Sequence, residues 1–169
     1  MKNLGIGVAL IMTLAVAAVY AAKGDDDVLR QARDRAEIED LMWQYTRALD
    51  TRNGDAYAAA YTPDGQFSAG TQVTKGRDAL KTLAGGSNTS QPPAAGQPPR
   101  APLYHMAANH RITFVDKDHA RLDAYYLTAS AAAGENSPLR VVAVGRSVDE
   151  LVRLNGKWLI KSRNVAPTN

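Results

Sequence analysis

Residues 34 to 67 require a chain that folds as helices laid against something larger. Asp34 is placed to cap a helix, and Glu37, three residues on, to complete a capping box. Ile38, Leu41, Met42, Tyr45 and Leu49 then recur at helical spacing, so one face of this first helix is apolar and needs a partner. Asn53 caps a second, shorter helix carrying Ala56, Tyr57, Ala60 and Tyr61, which the Pro63-Asp64-Gly65 turn should end. Two helices joined by so short a link pack against each other.

The rest of the chain is mostly β-structure. A short strand is expected around Gln66 to Ala69, and a small helix near Lys75 to Leu83, weakened by Gly76. Residues 85–102, GGSNTSQPPAAGQPPRAP, carry two Pro-Pro pairs, three Gly and no apolar period, and read as a mobile loop, either a surface insertion or a lid. Beyond it, Leu103 to Val115, Ala120 to Ala129, Leu139 to Leu154 and Lys157 to Val165 are β-rich. Asp116-Lys117-Asp118-His119 and Leu154-Asn155-Gly156-Lys157 are short enough to turn hairpins. Helices first and then a long meander predict an α+β domain with the helices on one sheet face.

The N-terminus stands apart. Lys2 precedes a nearly all-apolar run from Leu4 to Val19, and Val19-Tyr20-Ala21 offers small residues for cleavage after Ala21, so residues 1–21 read as a signal peptide and 22–33 as a linker. The run of roughly 16 residues is short for a bilayer span. The expectation is a periplasmic or secreted protein of about 148 residues, one domain, without stable membrane insertion. With no Cys there is no disulfide framework and no thiolate chemistry. Net charge is +3, or +2 without Lys2, and the charges after Asp25-Asp26-Asp27 are interspersed, which argues against a nucleic-acid surface.

Four segments carry a family resemblance: DRAEIEDLMWQYTRALDTRNGDAYAAAYTPDGQF, KGRDAL, HMAANHRITFVDKDHARLDAYY and GRSVDELVRLNGKWLIKSRNV. Together they resemble the SnoaL-like branch of the NTF2-like superfamily over residues 34–166. The resemblance implies an α+β cone: N-terminal helices packed on a curved, mostly antiparallel sheet around a pocket. Related pockets serve dehydratases, ketosteroid-type isomerases, polyketide cyclases, epoxide hydrolases and binding proteins, so the fold does not fix the function. GRSVDELVRL departs from the common GRYxDxLVR-like pattern, with Ser147-Val148 where an aromatic often stands, a loss of bulk that enlarges the cavity or removes a ligand contact.

Within such a cone, His105 resembles the pocket histidine that dehydratase-like members use as acid or base, and the two-residue period puts His105, Ala107 and Asn109 on one strand face. Asp50, at the end of the first helix, resembles the acidic residue that relatives direct into the pocket, there to orient His105 or to take a proton itself; its helical phase, roughly 120° from the stripe, equally suits a bond to the following turn. Tyr45 faces inward and can stabilise charge developing on oxygen, or simply fill the core. Tyr61, Asn109, Tyr125 and Trp43 stand as substrate-binding candidates, although Trp43, off the stripe, reads equally as a packing contact. Tyr125 and Tyr126 must face opposite ways, and a bulge would swap them; Asp123, on the Tyr125 face, is a weaker carboxylate. His110 should point away from the pocket, and His119 lies in a hairpin turn. The three histidines have neither HExxH spacing nor a carboxylate cluster, so no metal is expected, and no phosphate-binding glycine motif occurs in the domain.

The sequence therefore predicts a cofactor-independent lyase, dehydratase-like, or an isomerase, acting by proton transfer on a small cyclic or aromatic molecule. The alternative is a noncatalytic periplasmic protein that binds a hydrophobic ligand or serves as a dimeric interaction protein. A homodimer is expected if Val142, Val144 and Val152 lie exposed on an uncovered sheet face.

Overall fold

In a computed structural model the chain is described over residues 4–85, 101–131 and 138–168, with side chains from residue 25 onward. Two compact units emerge, residues 1–36 and residues 37–169. Helix α1 runs unbroken from Leu4 to Asp50, so Asp34 lies inside a helix and caps nothing, and residues 22–33 are helical as well. No Gly or Pro interrupts residues 25–34, and the Asp27–Arg30 pair, 3.0 Å apart and three residues along the helix, supports the continuation. Among the described residues no helix is long and apolar enough to cross a membrane.

The second unit carries the fold. After α1 come α2 (Gly54–Ala59), β1 (Tyr61–Ala69), β2 (Gln72–Lys75), α3 (Arg77–Gly85), β3 (Leu103–Phe114), β4 (His119–Ser130), β5 (Arg140–Leu154) and β6 (Lys157–Asn164). The six strands form one sheet in the order β2-β1-β6-β5-β4-β3. Every pairing is antiparallel except β1 with β6, so the sheet is mixed and β3 is one of its edges. Asn53 caps α2 as expected, its side chain accepting from the Ala56 N–H at 3.0 Å. Pro63-Asp64-Gly65, expected to end that helix, lies instead within β1. The β1–β6 register jumps from Tyr61↔Ile160 to Gln66↔Ser162, and this arch is where a proline lacking an N–H is tolerated in a strand. Strand β2 has no clear signal in the sequence; Gly70, at φ 62°, makes the turn into it. Gly76 precedes α3, at φ 86°, and so does not weaken it.

Both hairpins form. Asn155 and Gly156 sit at φ 53° and 78°, the two left-handed positions that match the twist of adjoining strands. The stripe on α1 (Ile38, Leu41, Met42, Tyr45) joins Tyr57, Leu80, Leu122, Leu151 and Ile160 in one core. Each such buried side chain contributes about 1.5–3 kcal/mol. The opposite sheet face is open: Tyr104, Met106, Tyr125 and Val144 are all exposed.

Most of the sheet's irregularity comes from register shifts. In β3 the pairing passes from Ala108↔Tyr125 to Arg111↔Asp123, and Asn109 takes a left-handed φ of 55°. In β6 it passes from Ser162 to Ile160 across one step of β5, leaving Lys161 as the extra residue. Each shift reverses which residues face the core beyond it.

Candidate functional site

Tyr45, Leu49, Phe67, His105, Tyr126 and Arg163 are among the residues lining a cavity of about 220 Å³ between α1 and the sheet. That is below the ~300–1,000 Å³ usual for drug-sized ligands, so it suits a molecule of one or two rings. Its lining is mainly apolar, with His105, Arg163 and the phenols of Tyr45, Tyr57 and Tyr126 as the strongly polar groups.

His105 and Asp50 are brought together. One oxygen of Asp50, Oδ1, accepts from the backbone N–H of His105 at 2.8 Å and lies 3.0 Å from its Nδ1. Asp50 is at the last turn of α1 with its side chain 10% exposed, and Arg47 Nη1 stands 3.8 Å from its other oxygen. The off-stripe phase of Asp50 is what lets it reach sideways to β3, an edge strand among the described residues. With Nδ1–H donating to the carboxylate, Nε2 keeps its lone pair and can accept a proton.

Tyr45 is buried against the cavity, its ring centroid 5.3 Å from that of Tyr57 and 6.2 Å from that of Tyr61. The Tyr57 and Tyr61 hydroxyls are 3.1 Å apart, and burial pushes both phenols well above their ordinary pKa. Tyr61 is wholly buried and is a core residue rather than a cavity-lining one, because it opens β1 instead of closing α2.

Asn109 and Tyr125 line an open depression on the outer sheet face with Arg111 and Arg146, Asn109 because the irregularity there ends the alternation that His105 began. Tyr126 takes the cavity side, its hydroxyl donating to the carbonyl of Val165 at 3.1 Å. Asp123 shares the outer face and pairs with Arg121 through two bonds of 2.9 Å. The same shift brings His110 inward. It and His105 help line a second cavity of about 230 Å³ with Glu39 and Met42, where burial lowers the His110 pKa. Trp43 is 65% exposed and borders this second cavity rather than the first. His119 bonds Asp116 in its hairpin turn.

Arg163 is the residue alternation misses. Trp158 and Ile160 are buried, which puts Ser162 and Asn164 next on a regular strand; the extra residue Lys161 turns Arg163 inward instead. Its guanidinium carbon is 4.7 Å from the Tyr45 ring centre, and Nη1 donates to Asp149 on β5. Asp149 and its neighbour Ser147 are completely buried. Burial raises the Asp149 pKa to about 7, with the Arg163 charge working against that rise. Among the described residues no group of three or more His, Asp or Glu could hold a metal ion.

A helix-backed curved sheet with a small cavity, His105 in its wall and Asp50 bonded to that histidine, has the NTF2-like, cystatin-like fold. The chain belongs to the SnoaL-like domain family, whose model matches residues 30–164. Similar solved structures include an NTF2-like protein with a cystatin-like fold from Novosphingobium aromaticivorans (22% identity, 85% of this chain and 87% of that one, TM-score 0.67). A candidate scytalone dehydratase from the same organism is also similar (24% identity, 84% and 89%, TM-score 0.65). So is a hexachlorocyclohexane dehydrochlorinase, LinA type 2 (20% identity, 80% and 86%, TM-score 0.63). A search of curated proteins found no match.

Proposed function

We propose that the protein is a cofactor-independent lyase, or an isomerase, that moves a proton on a small cyclic or aromatic substrate. His105 in the wall of a mostly apolar cavity, with Asp50 against its Nδ1, carries this reading. In the elimination, Nε2 of His105 takes a proton from a carbon next to a carbonyl. The C–H electron pair becomes the new C=C bond, the C–O bond breaks, and the departing oxygen takes the proton back from His105. Asp50 holds the ring in the required tautomer, and Tyr45 donates toward the developing oxygen charge. The dehydratase and dehydrochlorinase names among the similar structures support a lyase over a plain carrier.

Proton abstraction can be tested before the leaving group is known. Incubated in D2O with small cyclic ketones and hydroxyketones, the protein should exchange their α-protons, followed by NMR. Substituting His105→Ala should slow that exchange by about 10²-fold or more while circular dichroism stays unchanged. An unchanged rate overturns the assignment in favour of ligand binding alone.

The N-terminal apolar run supports export to the periplasm or beyond. Val141, Val142 and Val144, exposed on β5, support a homodimer through the sheet face, although Val152 is only half-exposed. Light scattering of the processed protein tests this: a monomeric mass at micromolar concentration excludes the dimer.

A further inference from the structure

Among the described residues, five buried side-chain polar atoms of the domain have no hydrogen-bond partner, His110 Nε2, Trp158 Nε1, Ser147 Oγ, Asp149 Oδ1 and Arg163 Nε, and the last three form a cluster. Their residues lie at neighbouring inward positions, Ser147 and Asp149 on β5 and Arg163 opposite Asp149 on β6, and all three are almost wholly buried. Leaving such groups unmatched is costly, and a cluster of them needs a reason. Arg163 is the member that reaches the cavity. Asp149 matches the acidic position of the family pattern, whereas Ser147 stands where that pattern has an aromatic, so it is Ser147 that this chain adds to the polar layer behind Arg163.

We infer that the cavity takes a ring compound bearing an anionic oxygen, a carboxylate or ionised phenol or enol, held by Arg163, while Asp149 and Ser147 behind it act as positioning residues that set the charge Arg163 presents. The inference rests on the same cavity being the ligand site. A guanidinium in an apolar pocket is a poor neighbour for a neutral ligand and a strong one for an oxyanion, because charge-assisted bonds are worth more than neutral ones where water is excluded.

The pair is also a charge regulator. With Asp149 protonated the Arg163–Asp149 set is cationic; with Asp149 ionised it is neutral, and an anion loses its attraction. Asp149 titrates near neutrality, so this change falls at about pH 7. The charged and titratable groups around the pair are Asp123 on β4, His110 on β3, Tyr45 on α1, Tyr57 on α2 and Tyr61 on β1. Burial keeps His110 uncharged to lower pH than usual and the Tyr57 and Tyr61 phenols uncharged to higher pH, so none of these three supplies the same transition.

Calorimetric titration of the full chain with 2-naphthoate and with its neutral amide, at pH 6 and pH 8, tests this. The carboxylate should bind about tenfold or more tightly than the amide at pH 6, and that preference should shrink at pH 8. In Asp149→Asn, which keeps the shape but cannot ionise, the preference should persist at pH 8. In Arg163→Met it should vanish at both, and His105→Gln should retain it. Equal binding of the two probes, or the same pH loss in Asp149→Asn, overturns the inference and leaves the cavity as a ligand site. Binding of neither probe overturns both.

Discussion

A Cβ built on Gly145 falls 2.6 Å from the Tyr126 hydroxyl and 2.8 Å from its ring. The two residues are cross-strand partners on β4 and β5, so the missing side chain at 145 is what lets the Tyr126 ring lie flat across β5 and reach the Val165 carbonyl. Glycine is needed here for close approach, since its φ is not left-handed.

Gly145→Ala should therefore lift Tyr126 from the cavity wall and cost about 1–3 kcal/mol, as for other overpacked sites. Urea unfolding measures the cost. Adding Tyr126→Ala should recover part of it, giving a clearly non-additive pair; additive losses would show that the ring had already moved aside.

Nitrogen NMR of His105 needs no substrate. With Nδ1 facing Asp50, the wild-type ring should carry its proton on Nδ1 and leave Nε2 bare at pH 8. Asp50→Ala should shift the ring toward the Nε2–H tautomer. Finding Nε2–H in the wild type would show that Nδ1 accepts rather than donates and would remove the base from the proposed mechanism.

Stability should fall as pH rises from about 4 to about 7. Native Asp149 keeps its proton up to about 7, whereas an unfolded chain releases it near the ordinary 3.8. The native state thus holds the extra proton within that window, and the stability this confers is lost as pH passes through the native value. Urea midpoints across the window should decline in wild type and decline less in Asp149→Asn. Equal slopes would place the transition on another group.

Two substitutions on facing elements should differ sharply. Leu122 is completely buried on β4, and Leu122→Ala should cost about 2–5 kcal/mol. Trp43, exposed on α1, should lose within about 0.5 kcal/mol on replacement by Ala, in spite of its size. A large loss at Trp43 would mean that its surface is covered in solution.

Periodic features are legible in the sequence. The α1 stripe, the Asn53 cap, the Asn155-Gly156 hairpin and the limits of β3 to β6 are set by local chemistry, and the structure reproduces them. The Asp50–His105 contact follows from the family resemblance; the helical phase alone leaves Asp50 between that contact and a bond to the following turn. Faces are misread wherever a strand gains a residue. Alternation from His105 puts Asn109 inside and His110 outside, and alternation from Ile160 hides Arg163. An extra residue is fixed by pairing with a strand elsewhere in the chain, so no local period reveals it. Asp34 fails as a cap for a similar reason: its residue type suits a helix start, but nothing upstream stops the helix. The loop expectation at 85–102 falls mainly on residues 86–100, outside those described.

The Asp50 carboxylate also does something unconnected with proton transfer. Among the described residues β3 is an edge strand of the sheet, and the His105 N–H donates to Asp50. An open edge N–H is a point where another chain can add a strand. Asp50 occupies that point, so the residue proposed to orient the base also shields the edge against self-association, and replacing it exposes the protein to aggregation along the very strand that carries its chemistry.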